Sequence, residues 1–138
     1  MQNDSDNGPE PFVTNIEKAT VDNTNYRTTM WTGRNIQLTL MSIEPGKDIG
    51  LEVHTDHDQF LRIEQGQATV YMGPDKEHLQ TWQASDNDAI FVPAGTWHNV
   101  VNTGQAALKV YSIYGPPQHP HGTIHITKAE ADAAEAQE

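Results

Sequence analysis

From residue 36 to residue 114 the chain repeats one local pattern: a short strand-like run, then a Gly or Pro stop. Residues 36–43 alternate apolar and polar side chains and halt at Glu44-Pro45-Gly46-Lys47. Residues 59–64 alternate and halt at Gln65-Gly66, and residues 68–72 halt at Gly73-Pro74. Residues 89–92 are an apolar run ending at Pro93. Val100-Val101 meets the turn Asn102-Thr103-Gly104, and residues 107–114 end at Gly115-Pro116-Pro117. Gly admits positive φ, and Pro pre-sets φ while removing a ladder donor, so each stop reads as a turn. About eight strands of this length, each needing a covered face, predict an all-β fold: a barrel or two-sheet jelly roll. The one strong helical signal is terminal. Thr127-Lys128-Ala129-Glu130 is a capping box, continued by an Ala/Glu-rich run. It predicts a C-terminal helix lying loosely on the surface. The expected organisation is a disordered lead over 1–11, a β-barrel over 12–126 and a helix or tail over 127–138.

Bulk properties narrow the function classes. A chain of 138 residues buries one core. With 36% hydrophobic residues and a mean hydropathy of -0.66, that core is lean. No apolar run approaches the roughly 20 residues of a membrane span, so no membrane partner is expected. The first ten residues are polar and acidic, unlike a secretory signal. There is no Cys, which excludes disulfides and thiolate metal sites. A cytoplasmic location is expected. The net charge of -11 comes from 8 Lys+Arg against 19 Asp+Glu. Asp4, Asp6, Glu10, Glu130, Asp132, Glu135 and Glu138 lie in the tails, where Lys128 alone offsets them. No basic stripe is present, so nucleic acid is not an expected partner.

Chemistry concentrates in two segments about 30 residues apart, 50–66 and 87–102. Glu52 and His54 are two apart, and on a strand such residues face one side. Gln59 opens the next strand after a short turn, which sets it opposite them. His98 follows Pro93-Ala94-Gly95 on a third strand. Convergence of Glu52, His54, Gln59 and His98 would offer a carboxylate, two imidazoles and an amide oxygen. Such a set suits one divalent ion (Mn, Fe, Zn, Ni or Co) and leaves positions open for water and substrate. His57 has the parity of a ligand but sits at a turn apex, where a solvent-exposed histidine is the simpler reading. Asp58 has the opposite parity to Glu52 and His54. The later histidines His119, His121 and His125 lie in a Pro-interrupted stretch. That stretch reads either as a plain surface segment or as one crossing the barrel mouth, with Tyr114 or His119 near a ligand.

The two segments resemble the two motifs of the cupin superfamily. The second motif, Gly-x5-Pro-x-Gly-x2-His-x3-Asn, is matched by Asn87, Pro93, Gly95, His98 and Asn102, with Asn in place of the first Gly. Asn tolerates positive φ better than most residues. In the first motif, Gly-x5-His-x-His-x3-4-Glu-x6-Gly, the two His places fall on Glu52 and His54, and the Glu place falls on Gln59. A carboxylate and an imidazole have in effect exchanged positions. The resemblance covers residues 36–114. It implies a double-stranded β-helix, the jelly-roll barrel, and a metal set of Glu52, His54, Gln59 and His98. The wording around residues 52–60 is also similar to small cupins labelled sugar-phosphate isomerase-like.

Inward parity nominates Gln37, Met41, Leu61, Ile63, Val100 and Asn102 as pocket-lining residues. Gln37, Met41, Leu61, Tyr114 and His119 are the expected substrate contacts. Trp97 should point away from the metal. With Phe60 outward as well, a covered outer face is expected, joined by Arg27, Trp31 and Arg34, and a homodimer with it. The expected activity is a metal-dependent isomerase or lyase acting on a small sugar-like or hydroxylated substrate, with Glu52 or a bound water moving a proton. An Fe(II) oxygenase using the same ligands and a non-catalytic binding module are the competing readings. No nucleophile triad and no phosphate-binding Gly loop is present.

Overall fold

The computed structural model describes residues 6–135. In chain order the elements are α1 (Ile16–Asp22), β1 (Arg27–Thr32), β2 (Gln37–Ile43), β3 (Asp58–Gln65), β4 (Gln67–Gly73), β5 (Gln80–Ser85), β6 (Ala89–Val92), β7 (Trp97–Asn102), β8 (Leu108–Gly115), β9 (Ile124–His125) and α2 (Lys128–Glu135). Six strands form one antiparallel sheet in the order β6-β3-β8-β2-β1-β9. Three form a second, β5-β4-β7. Inward side chains of both sheets meet in one apolar cluster that includes Leu61, Ile63, Val70, Val100 and Val110. This is the all-β jelly roll expected from the turn-punctuated pattern.

Register shows how the interior is graded. Inner-face residues of the large sheet line up in three rows across the strands. The first runs Val92, Gln59, Tyr114, Gln37, Thr32; the second Ile90, Leu61, Ser112, Thr39, Thr29. The third runs Ile63, Val110, Met41, Arg27, His125. The first row is therefore polar over β3, β8 and β2, and the third is apolar over the same strands. Polar side chains collect at one end of the interior, and the apolar core fills the other.

Motif residues account for the turns. Asn87 has φ 74, so Asn fills the place of the motif glycine in the conformation that glycine would supply. Asn102 is buried and closes the end of β7. Its Nδ2 donates to the carbonyls of Ile43 and Ala106, and its Oδ1 accepts from Gly104 N–H.

Several expectations are corrected. Helix α1 was not signalled; its N-cap is Asn15, whose side chain accepts from Lys18 N–H at 3.0 Å. Helix α2 starts at the expected cap, with Glu130 N–H donating to Thr127 Oγ1 at 3.1 Å. It does not lie loosely: Ala131 is fully buried and joins the core cluster. Residues 1–5 of the lead lie outside the described residues. From Asp6 onward the lead is packed along β1, with Asn7 N–H bonded to Met30 O and Trp31 Nε1 to Glu10 O. Asp6 is buried and accepts from Gly8 N–H, Thr32 N–H, Thr32 Oγ1 and Gly122 N–H at 2.6–3.0 Å. Among the described residues, no helix is long and apolar enough to cross a membrane.

Candidate metal centre

The segment carrying Glu52 and His54 is not the full strand that was expected. It follows β7 through separate contacts. Glu52 N–H donates to His98 O at 3.0 Å and His98 N–H to Glu52 O at 2.9 Å, making an isolated antiparallel bridge. Residues paired this way present their side chains on the same face. Further along, Gly95 N–H donates to His54 O at 2.8 Å; Gly95 has φ 84, a conformation strained for any residue with a Cβ. Asp58 Oδ1 accepts from Ala94 N–H, tying the two motif segments together outside the site. One carboxylate and two imidazoles thus reach a common point by backbone pairing.

The ligand atoms of Glu52, His54 and His98 all lie within 4.8 Å of one another. Glu52 Oε1 is 3.3 Å from His54 Nε2 and 3.6 Å from His98 Nε2. His98 is buried and its Nδ1 lies 3.0 Å from Thr96 O. A carbonyl can only accept, so Nδ1 carries a proton and the lone pair of a neutral ring is on Nε2. That lone pair faces a carboxylate oxygen. The pair is stable only with a positive charge between them, either an imidazolium proton or a metal ion. A metal-binding His commonly donates its other ring N–H to a backbone carbonyl in this manner. Among the described residues, both Nε2 atoms are buried without a protein hydrogen bond, as is Gln59 Oε1. The donor set and its unsatisfied atoms therefore fit a divalent cation. Burial alone would raise the Glu52 pKa, but the adjacent His54 and His98 rings outweigh it and hold the carboxyl at about 2. Glu52 keeps about 26% of its side-chain surface exposed, so the centre opens to solvent.

Gln59 lies at the same end of the interior; its Nε2 is 3.4 Å from Ser112 Oγ. Tyr114, on β8, is buried with its ring 6.1 Å from that of His54 and edge-on to it. Burial pushes its phenol up to about 12. His57 is not an exposed turn residue: its side chain is 11% exposed, its Nδ1 lies 2.6 Å from Asp56 Oδ1 and its Nε2 3.1 Å from Pro117 O. It stands outside the three-residue cluster.

Of the expected substrate contacts, Met41 and Leu61 belong to the apolar core, as do Ile63 and Val100. Gln37 is fully engaged. Its Nε2 donates to Thr32 Oγ1 and His119 O, and its Oε1 accepts from Gln118 and His119 N–H, at 2.7–3.0 Å. An amide has two donor hydrogens and two acceptor lone pairs, so none is left for a substrate. Gln37 instead clamps the segment between β8 and β9. That strap covers the polar end of the interior and delivers His119, whose ring packs edge-on against Tyr114 at 5.4 Å. His119 Nε2 is buried without a hydrogen-bond partner among the described residues. Burial first, and the charge of Arg27 second, lower its pKa to about 2, so the ring is neutral.

Arg27 was expected on an outer face and is instead an inner-face residue, 3% exposed, with Nη1 at 3.1 Å from His125 Nδ1. Alternation on a six-residue strand gave no warning. The signal that could have found it is the parity it shares with Thr29 two residues on.

Comparison with known proteins agrees with this architecture. A family model described as "Cupin domain" matches residues 39–114. The YrkC protein of Bacillus subtilis (strain 168) is 60% identical over 131 residues, covering 94% of this chain and 70% of that one. The crystal structure of BH2720 from Bacillus halodurans superposes with a TM-score of 0.93 at 56% identity, covering 94% of this chain and 98% of that one. Bacillus subtilis oxalate decarboxylase, a protein with Mn(II) centres, shares the fold at 23% identity and a TM-score of 0.58, covering 63% of this chain and 23% of that one.

Proposed function

The chain belongs to the cupin domain family, and on that premise we propose that it holds one divalent cation on Glu52, His54 and His98 and acts on a small molecule. The reading rests on one observation: the His98 Nε2 lone pair and the Glu52 carboxylate face each other at 3.6 Å while His98 Nδ1 is committed to Thr96 O. Gln59 Oε1 is the fourth group of the set, a weak amide ligand or a holder of water. When bound, the cation supplies Lewis-acid polarisation of a carbonyl or hydroxyl oxygen, chemistry that serves isomerisation or elimination. Glu52, ionised down to about pH 2, is too weak a base for efficient proton transfer near neutrality, so its role is ligation. Tyr114 keeps its proton and offers it to a substrate oxygen. His54 and His98 fix the centre, and the strap shields the polar end from bulk water.

Elemental analysis of the purified protein tests the centre. We expect about one metal ion per chain, none in His98→Ala, and Glu52→Gln to fold while binding metal roughly ten- to a hundredfold more weakly. Unchanged metal affinity in Glu52→Gln would remove it from the set. The metal-loaded protein should convert a sugar or hydroxy acid in a screen of such compounds. Two histidines and a carboxylate also suit an Fe(II) oxygenase; oxygen uptake by anaerobically Fe(II)-loaded protein with substrate would favour that chemistry instead.

The chain also carries a face suited to a second copy of itself. Phe60 and Phe91 pack 5.1 Å apart on the outer side of β3 and β6, and Phe91 is 68% exposed on an edge strand.

A further inference from the structure

Gln59 stands where the first motif has Glu, and its amide oxygen belongs to a group of buried polar atoms at this end of the interior. Among the described residues, Gln59 Oε1, Thr39 Oγ1 and His119 Nε2 are buried without a hydrogen-bond partner. Gln59 is 4% exposed and Thr39 0%. Register and contacts gather them with two further hydroxyls. Gln59 pairs directly with Tyr114 across β3 and β8, and its Nε2 lies 3.4 Å from Ser112 Oγ. Ser112 pairs with Thr39 across β8 and β2. The Tyr114 ring packs edge-on to His119 at 5.4 Å and to His54 at 6.1 Å, which joins the group to the centre. Ser112 and Thr39 are the smallest inner-face side chains of their strands. An arm of a molecule held at the centre therefore meets short hydroxylated side chains there instead of an apolar wall. A buried polar atom left unpaired costs free energy, so the group calls for a polar occupant.

Donor and acceptor chemistry decides what this group receives. An amide oxygen only accepts, so whatever meets Gln59 Oε1 must donate, and a carboxylate or a phosphate dianion has no hydrogen to give it. The hydroxyls of Thr39, Ser112 and Tyr114 donate as well as accept, and an ammonium, which only donates, cannot take their hydrogens. A neutral imidazole presents one donor and one acceptor nitrogen. An alcohol both gives and takes, so it suits every member. Charge agrees. Neither the first nor the second inner row contains a charged side chain. Arg27 lies in the third row, with Nη1 at 3.1 Å from His125 Nδ1, and the buried Asp6 carboxylate is taken up by Gly8, Thr32 and Gly122. A second anionic group placed among these residues would be desolvated without a cation in either row. We propose that Gln59, Thr39, Ser112, Tyr114 and His119 form a subsite for the hydroxyl groups of an uncharged polyol arm, carried by a small molecule whose head binds at Glu52, His54 and His98. The proposal deepens the reading of a metal-dependent small-molecule protein and rests on it. Thr39 and His119 are specificity-determining residues.

Calorimetric titration with five-carbon acids that share one α-hydroxy-carboxylate head tests the subsite. The four D-pentonates carry a hydroxylated arm, 2-hydroxypentanoate carries an apolar arm, and the matching pentarates end the arm in a second carboxylate. Metal content is measured on every sample. The tightest-binding pentonate should bind metal-loaded protein at least about tenfold more tightly than 2-hydroxypentanoate and than its own pentarate. Thr39→Val should weaken that pentonate about fivefold or more while leaving 2-hydroxypentanoate affinity and metal content unchanged. It removes a hydroxyl that has no protein partner to lose, so the urea-unfolding midpoint of ligand-free protein should stay the same or rise. Should Thr39→Val fail to fold, His119→Phe keeps a ring against Tyr114 but removes the nitrogens, and the same selective loss is expected. Equal pentonate affinity in wild type and variant overturns the subsite, and a lowered midpoint alongside it would make Thr39 a structural residue. The subsite is equally overturned if 2-hydroxypentanoate or a pentarate binds as tightly as the best pentonate, or if wild type binds no pentonate. Absence of metal from wild type would sink the centre instead. In that event the preference for the hydroxylated arm over the apolar one, and its loss in Thr39→Val, still decide the subsite in metal-free protein.

Discussion

At the scale of single residues, the centre is built by opposition and the strap by saturation. Glu52, His54 and His98 were visible in the sequence because a two-residue spacing and a Pro-x-Gly turn are local signals. The roles of Gln37 and His119 were not, because they depend on a pairing between residues 82 apart in the chain. Parity placed Gln37 inside correctly but could not show that all four of its hydrogen-bonding positions were taken. His119 leads to a pH effect whose sign is fixed. Its folded pKa, about 2, lies below the ordinary 6.5 because burial disfavours the charged ring. The unfolded chain therefore binds a proton that the native state does not. The stability from this difference is complete above about pH 6.5 and is lost as pH falls toward about 2, at up to about 1.4 kcal/mol per pH unit. Between pH 6.5 and 4.5 the Glu52 shift does not yet contribute. His119→Asn should flatten the stability profile in that window relative to wild type, as read by urea unfolding at a series of pH values; parallel profiles would show that His119 is not a buried neutral ring.

At the scale of elements, what the sequence hid was what is short, polar or held from a distance. Strand β5 is almost wholly exposed, so its residues carry no apolar alternation to detect. Helix α1 has a single buried residue, Thr20, and no apolar stripe. Helix α2 was found from its cap, yet its attachment through Ala131 escaped notice because alanine is a weak marker of a buried face. The N-terminal lead looked disordered by composition, but Asp6 holds residues 6–10, β1 and the strap at Gly122 together. Burial alone would raise the Asp6 pKa; hydrogen bonds from Thr32, Gly122 and Gly8 outweigh it and lower the value below 3.8. The stabilisation from Asp6 is thus complete above about pH 4 and is lost as pH falls through the lowered pKa. Asp6→Ala should cost about 2–4 kcal/mol at pH 7 and speed hydrogen exchange at the Gly122 amide. An unchanged exchange rate there would show that Asp6 does not hold the strap.

At the scale of the whole molecule, the jelly roll was legible because every strand of the central sheet is bracketed by turn chemistry. The division of its interior was less so, since it comes from register between strands distant in sequence. Outside, the Phe60–Phe91 face predicts self-association. Sedimentation equilibrium should give twice the chain mass for the wild type and the chain mass for Phe91→Glu, with the fold kept. A monomeric wild type would leave those rings as mere surface. Inside, the register rows keep polar work and apolar cohesion in different places. Substitutions at Gln59, Ser112 or Thr39 touch few of the contacts that Ile63, Val110 and Met41 make with one another. A barrel partitioned in this way can be given a new appetite without being asked to fold anew, so variation at its polar end is the cheapest route from one ligand to another.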